Sequence, residues 1–294
     1  MSVRTCSIRG QNRVSYLYHY TKDEGFKGII ETQELWATSI YHLNDWKEFD
    51  YGRDALIESV KALLKSKEAA DAGATLLSYL YDTRPPLFVC SFSAAEDGDD
   101  LTQWRAYSPK GGYTIGFPIA KLIEHAHMLK FDWFLCEYGT TSASQFVEKT
   151  ANIIEEIFRM AGGVKQFHSQ FPFNDPSNNP FLTILLKYVA KYKHDAFRAE
   201  NEHRLVHLLI PAEYPRFRMS GSVLVPYVPF SLNNGELWKQ AQIVMSPCLP
   251  DDAKIRLEAV KNFLESELGR RQLPTDCAKS VRLSKAPYRT VISG

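Results

Sequence analysis

The 294-residue chain lacks an excess of charge of either sign: 35 Lys and Arg stand against 34 Asp and Glu, a formal net charge of +1. It therefore has no global basic field of the kind that draws a protein to nucleic acid or to an anionic membrane, although Lys187, Lys191 and Lys193 could still build a local basic groove. Cysteine is sparse and odd in number. Cys6, Cys90, Cys136, Cys248 and Cys277 are scattered and form no CxxC pair, which argues against a disulfide framework and a structural zinc site and fits a reducing cytoplasm. No uninterrupted apolar run approaches the roughly 18 residues needed to cross a bilayer, and Met1-Ser2-Val3-Arg4-Thr5-Cys6 leads into polar residues without an apolar signal segment. The expectation is a cytoplasmic protein with no membrane partner. Also missing are a GxSxG elbow, an HExxH helix, a GxGxxG loop after a strand and an EF-hand loop. Lys110-Gly111-Gly112 lacks phosphate-loop spacing and reads as a turn.

Apolar residues are plentiful: 45% are hydrophobic and 13% aromatic, enough for a substantial core. No repeat or biased linker divides the chain, so residues 1–294 read as a single α+β domain, with helical excursions over about 48–84 and 142–195. Alternation predicts strands at Val14–Tyr20, Leu35–Ser39, Leu87–Ser93, Tyr113–Phe117, Trp133–Tyr138, Val223–Val228 and Ala241–Ser246, the Val223 strand at an edge because of its prolines, and a short last strand around Val281–Leu283. Thr21-Lys22-Asp23-Glu24 fits a capping box opening a helix with Phe26, Ile29 and Ile30 inward. Leu101–Tyr107 is a helix with Trp104 and Tyr107 on one face, Trp104 reading as core. Helices also follow Pro118 and span Pro250–Leu268.

The chemistry concentrates in Ala199-Glu200-Asn201-Glu202-His203-Arg204-Leu205-Val206-His207-Leu208-Leu209-Ile210, a charged mouth on a strand-like apolar run. As a strand it lines Glu200, Glu202 and Arg204 along one face in steps of about 6.5 Å. Carboxylates that close repel, and Arg204 is placed to compensate. A charged edge strand that discourages aggregation is the alternative. His19 ends the first strand just before a helix, a place where ligands are held, although a lone histidine among tyrosines also reads as ordinary packing. His125/His127 and His203/His207 have crude metal-ligand spacing without a third ligand nearby and are expected to be exposed polar positions.

Leu17-Tyr18-His19-Tyr20-Thr21, Leu43-Asn44-Asp45 with Glu48, Ser91-Phe92-Ser93 with Trp104, Tyr107 and Gly112–Phe117, and Glu200-Asn201-Glu202-His203-Arg204-Leu205 resemble, in order, the blocks of a bacterial domain-of-unknown-function family, number 2971; with Ser284, Pro287, Tyr288 and Arg289 the likeness covers nearly the whole chain. The block order also resembles that of ADP-ribosyltransferases, although Asn44-Asp45 has no counterpart there. This resemblance implies an ADP-ribosyltransferase-like split antiparallel/mixed β-sheet core with surrounding helices. It implies NAD as substrate and no metal, with His19 on the NAD ribose, Ser91 and Ser93 shaping the nicotinamide pocket, and Tyr20, Thr21, Asn44, Phe92, Tyr107 and Arg204 completing the site. Glu202 would be catalytic and Glu200 would orient the acceptor.

The implied chemistry is simple: the nicotinamide of NAD is already cationic and leaves as a neutral molecule, so one carboxylate beside the growing positive charge on the ribose is the main requirement. Arg204 would keep Glu202 ionised, and Tyr107 or Tyr20 could stack on the leaving ring. The expected function is a transferase acting as a bacterial toxin or phage-defence effector on RNA, DNA or protein, with an antitoxin as a further partner. Two alternatives remain: a nuclease holding Mg²⁺ on Asp45, Glu48, Glu200 and Glu202, or a non-catalytic binding or sensor module of a defence system.

Overall fold

Residues 15–43, 48–63, 85–139, 190–210, 212–247 and 250–286, with scattered positions between 145 and 189, are described by a computed structural model. They form a mixed α+β fold around a ten-stranded sheet. Its N-terminal half comprises β1 (Tyr16–Thr21), α1 (Asp23–Thr32), β2 (Glu34–Ser39), α2 (Glu48–Leu63), β3 (Leu87–Ser93), α3 (Leu101–Tyr107), β4 (Tyr113–Pro118) and α4 (Ile119–Met128). Then follow β5 (Asp132–Leu135), β6 (Glu137–Tyr138), β7 (Tyr192–Lys193), β8 (Glu202–Leu208), β9 (Arg216–Ser220), β10 (Val223–Ser231), α5 (Gly235–Lys239), β11 (Gln242–Met245), α6 (Pro250–Arg270) and β12 (Arg282–Leu283). The strand order is β12-β11-β4-β1-β3-β2-β10-β9, with β8 on the other edge of β3 and β5 beyond it; β6 and β7 form a separate parallel pair.

The sheet divides at β3. One edge of β3 is registered along its full length with β8, Leu87 against Leu208 through Ser93 against Glu202. The opposite edge is shared: Tyr18 of β1 meets Ser93, while Thr38 and Ser39 of β2 meet Val89 and Phe88. The Ala94 amide bonds Asn201 on the β8 side, so by alternation the backbone groups of Val89, Ser91 and Ser93 face the shared edge. At Ser91 no strand is registered there, because β1 leaves with β4 and β2 leaves with β10. The fork between β1 and β2 opens a cleft floored by the middle of β3.

Alternation also separates two apolar layers. Leu17, Phe92, Cys90 and Leu205 join Ile30, Phe117, Phe230, Leu122, Trp238 and Leu264 in the main core, on the side covered by α1, α4, α5 and α6. Tyr18, Tyr20, Val244 and Trp104 make a second cluster under α3. Gly116 on β4 is required by that cluster, since a Cβ there would lie 2.4 Å from the Tyr18 ring. Tyr18 is buried and its hydroxyl donates to Gln242, so Gly116→Ala is expected to cost about 1–3 kcal/mol through overpacking, read as a lower urea midpoint with unchanged slope.

Several expectations change. Thr21 ends β1 opposite Tyr113, so the capping box does not form and α1 begins without a side-chain cap. β10 is no edge strand: the two-residue turn Gly221-Ser222, with Gly221 at φ +60°, folds β9 back over it, and β9 becomes the edge. Trp133–Tyr138 is two strands, broken where the Cys136 amide turns to the Glu202 carbonyl. α6 runs through Gly269 to Arg270. Most of the expected helical excursion over 142–195, the part of the first excursion beyond Leu63, and the closing residues Tyr288 and Arg289 lie outside the described residues.

Candidate functional site

β8 is buried along its whole length and lies between β3 and β5, which removes the edge-strand alternative. Its even-numbered side chains, Glu202 and Arg204, share a face with Ser93 and Ser91, their cross-strand partners. Arg204 is 0% exposed and Glu202 3%. Arg204 Nε donates to Glu202 Oε1 at 2.8 Å and Nη2 to Oε2 at 3.1 Å, while Nη1 donates to the Ala190 carbonyl at 2.7 Å. Lys193, buried on β7, donates to Glu202 Oε2 at 2.7 Å and equally to Glu200 Oε2 at 2.7 Å. Burial works to raise the Glu202 carboxyl pKa, but the charges of Arg204 and then Lys193, with their hydrogen bonds, outweigh it and hold it at about 2. Glu202 is therefore an ionised carboxylate at any physiological pH.

Glu200 is not on the strand. It ends a 3₁₀ turn spanning Asp195–Glu200, and Asn201, at φ 41°, turns the chain into β8. A left-handed residue breaks the alternation that would have placed Glu200 two steps from Glu202, and Asn tolerates that conformation better than most residues. The side chain reaches the same Lys193 nonetheless. Tyr107 donates to Glu200 Oε2 at 3.3 Å, and the Glu200 carbonyl accepts from Ser93 Oγ at 3.1 Å and Gln103 Nε2 at 3.2 Å. The Glu202 amide donates to the Tyr138 hydroxyl at 2.8 Å.

His19 sits at the fork, half-buried, with Nδ1 3.0 Å from the Ser91 carbonyl and its ring beside Phe92. A carbonyl only accepts, so Nδ1 carries the proton. Burial lowers the His19 pKa, against the opposing pull of that hydrogen bond, so the ring is neutral near pH 7 and Nε2 is an acceptor for a ligand hydroxyl.

These groups meet. His19, Tyr20, Ser91, Tyr107, Glu200 and Glu202 all line a cavity of about 590 Å³, which Thr21 and Arg204 also border. A smaller recess of about 80 Å³ shares these six residues and is lined as well by Phe92, Ser93 and Gln103. The larger volume is that of a cofactor-sized site.

Several of these residues also have structural partners. The Tyr20 hydroxyl accepts from the Asp100 amide and its ring packs edge-on against Trp104, so it is held in the core rather than offered for stacking. Tyr107 and Ser93 hold Glu200 in place. Trp104 is core, its indole N–H donating to Asp99. Asn44 and Asp45, and the side chain of Glu48, lie outside the described residues. His125, His203 and His207 are buried rather than exposed: His125 bonds the Ser231 carbonyl, His203 stacks on Trp133 and His207 pairs with Glu213. No group of three His, Cys, Asp or Glu side chains suited to a metal occurs among the described residues, and Lys193 occupies the position between Glu200 and Glu202 that a divalent ion would need.

The three lysines that left a basic groove open are paired with carboxylates: Lys187 with Asp132, Lys191 with Glu137 and Lys193 with the two site glutamates. Lys193 is the residue that sequence reasoning misplaced. Nothing in its spacing from Glu202 is a motif; only its place in an apolar context after a helix hints at burial. No helix among the described residues is long and apolar enough to cross a membrane, and Cys90, Cys136 and Cys277 are free thiols.

Residues 103–205 match the model of a family described as a protein of unknown function, DUF2971, the family whose blocks the sequence resembles. The match begins at Gln103 and ends at Leu205, so it contains Tyr107, Lys193, Glu200, Glu202 and Arg204 and stops short of His19 and Ser91. Its two ends touch, through the Gln103 hydrogen bond to the Glu200 carbonyl. No match to the chain emerges among the curated proteins or among the solved structures.

Proposed function

We propose that the DUF2971 segment supplies the carboxylate wall of an NAD site and that the protein is an ADP-ribosyltransferase. The observation that carries this reading is the meeting, in one cavity, of an ionised Glu202 with a neutral His19 whose free ring nitrogen is an acceptor. Neither is arranged for general-acid work. That suits a reaction whose leaving group needs no proton.

In the proposed reaction the bond between ribose C1′ and the nicotinamide nitrogen breaks, and its electron pair neutralises the pyridinium ring. Positive charge develops on the ribose, where the Glu202 carboxylate stabilises it. His19 Nε2 accepts a ribose hydroxyl and orients the sugar. A hydroxyl or amine of the acceptor then bonds C1′ and gives up its proton, for which Glu200, beside Tyr107 and Lys193, is the receiving group. The acceptor is a macromolecule, RNA, DNA or protein, and a toxin or phage-defence role with an antitoxin partner fits such chemistry.

Purified protein incubated with NAD and cell extract is expected to release nicotinamide and transfer label from the adenylate half of NAD to a macromolecule. His19→Ala is expected to lower kcat/KM about 10²-fold, the scale of one lost orienting hydrogen-bond partner and its positioning effect, with little change in thermal midpoint. Wild-type protein that releases no nicotinamide and transfers no label overturns the reading.

A further inference from the structure

Four Lys and Arg side chains border the large cavity: Lys22, Lys193, Arg204 and Arg218. Lys193 and Arg204 are neutralised by Glu200 and Glu202. Arg218 is different. It lies on β9, across β10 from β2, and among the described residues it has no carboxylate partner. Its Nη2 donates to Thr38 Oγ1 at 3.2 Å, its guanidinium lies over the Trp36 ring at 5.4 Å, and its Nε is enclosed with no hydrogen-bond partner. Arg216, two residues earlier on the same strand, shows the contrast, since its Nη1 donates to both oxygens of Glu34. An enclosed, unsatisfied donor on a charged group is costly in the absence of a ligand. Trp36 beside it is 41% exposed, an unusual state for an indole that also packs on Tyr227. Glu24, the one lining carboxylate without a cation partner among the described residues, belongs to α1 on the β1 side of the cleft.

We propose that the β2–β9 end of the cleft is an adenine-nucleotide subsite, in which Arg218 binds a pyrophosphate oxygen and the exposed part of the Trp36 ring stacks on the purine. A guanidinium offers several N–H donors in a fixed fork that matches phosphate oxygens, and an exposed aromatic ring gives a base a face to stack on. The inference rests on the reading of this cavity as an NAD site and adds its polarity: the adenylate half lies at Arg218 and Trp36, and the nicotinamide half at His19 and Glu202.

The probe is ADP, which carries the pyrophosphate and adenine without nicotinamide. Calorimetry is expected to show ADP binding to the wild-type protein, weakened at least tenfold in Arg218→Gln and severalfold in Trp36→Leu, and altered by less than twofold in His19→Ala. Arg218→Lys, which keeps the charge without the fork, should fall between wild type and Arg218→Gln. A thermal midpoint for each variant within a few degrees of wild type shows that the effect is on the site. ADP binding that is absent, or equal in wild type and Arg218→Gln, overturns the subsite. The two readings separate cleanly: ADP binding without nicotinamide release from NAD keeps the subsite and removes the transferase, whereas nicotinamide release without ADP binding does the reverse.

Discussion

Glu202→Gln is expected to lower the stability of the protein by about 3–5 kcal/mol, the cost of leaving a buried ion pair with one partner removed. Lys193 is 5% exposed and Arg204 0%, and among the described residues Glu202 is a carboxylate that meets both. Glutamine preserves the shape of the side chain and removes its charge, so the loss arises from uncompensated cations and not from packing. At roughly 2–4 °C per kcal/mol for a domain of this size, the thermal midpoint should fall by about 10 °C. Nicotinamide release should fall on the order of 10²–10³-fold, the usual effect of removing one preorganised electrostatic stabiliser. Combining Glu202→Gln with Lys193→Met removes one charge of each sign and leaves Arg204 and Glu200. That double variant should recover much of the midpoint without recovering turnover. A single variant whose midpoint stays within a degree or two of wild type would refute the charge-balance account, and full recovery of turnover in the double variant would refute the catalytic role.

Acid should destabilise the fold in two stages with different owners. His203 has its pKa lowered to about 4 by burial, with the Glu202 charge pulling the other way; its ring stacks on Trp133 and its Nδ1 is enclosed without a partner. An unfolded histidine takes its proton near pH 6.5. Between pH 6.5 and about 4 the unfolded chain therefore binds more protons than the folded one, and stability falls as pH falls through that window, by about 3 kcal/mol in all. His19, also lowered by burial, contributes with the same sign. Glu202 acts lower down. With a folded value near 2 against an ordinary 4.5, its stabilisation is complete above pH 4.5 and is lost as pH falls toward 2. Thermal midpoints measured at pH 7.5, 6.5, 5.5 and 4.5 should decline in the wild type and much less in His203→Phe. Parallel declines in the two proteins would show that the mild-acid stage belongs to another group.

How far the site was legible can be traced residue by residue. Tyr16–Thr21, Leu87–Ser93 and Glu202–Leu208 carry their strand character in local alternation, and cross-strand pairing then sets Glu202 and Arg204 beside Ser93 and Ser91. The order of motif blocks likewise anticipated that His19, Ser91 and Glu202 border one cleft. Lys193 was read only as a member of a possible basic groove, because burial of a lysine depends on what the fold brings to it, here two carboxylates reached through a left-handed Asn201. Arg218 gave no signal at all, for β9 was not expected and its neighbours Trp36 and Thr38 are about 180 residues away in the chain. The prolines of β10 suggested an edge, yet a two-residue turn places β9 outside it.

By itself, the sequence determined where most of the principal strands and helices lie, that Glu202 and Arg204 project from one face, and that no net field steers the protein toward polyanions. Those properties depend on the alternation of neighbouring residues and on summed charge. The tertiary structure alone decided that β1 and β2 part along β3 to open a cavity, that Lys193 joins the two glutamates, that His203 and His207 are buried, and that Arg218 has no carboxylate partner among the described residues. Each of these depends on which distant strands share an edge, and that is settled by how the whole chain buries its apolar faces rather than by any local pattern.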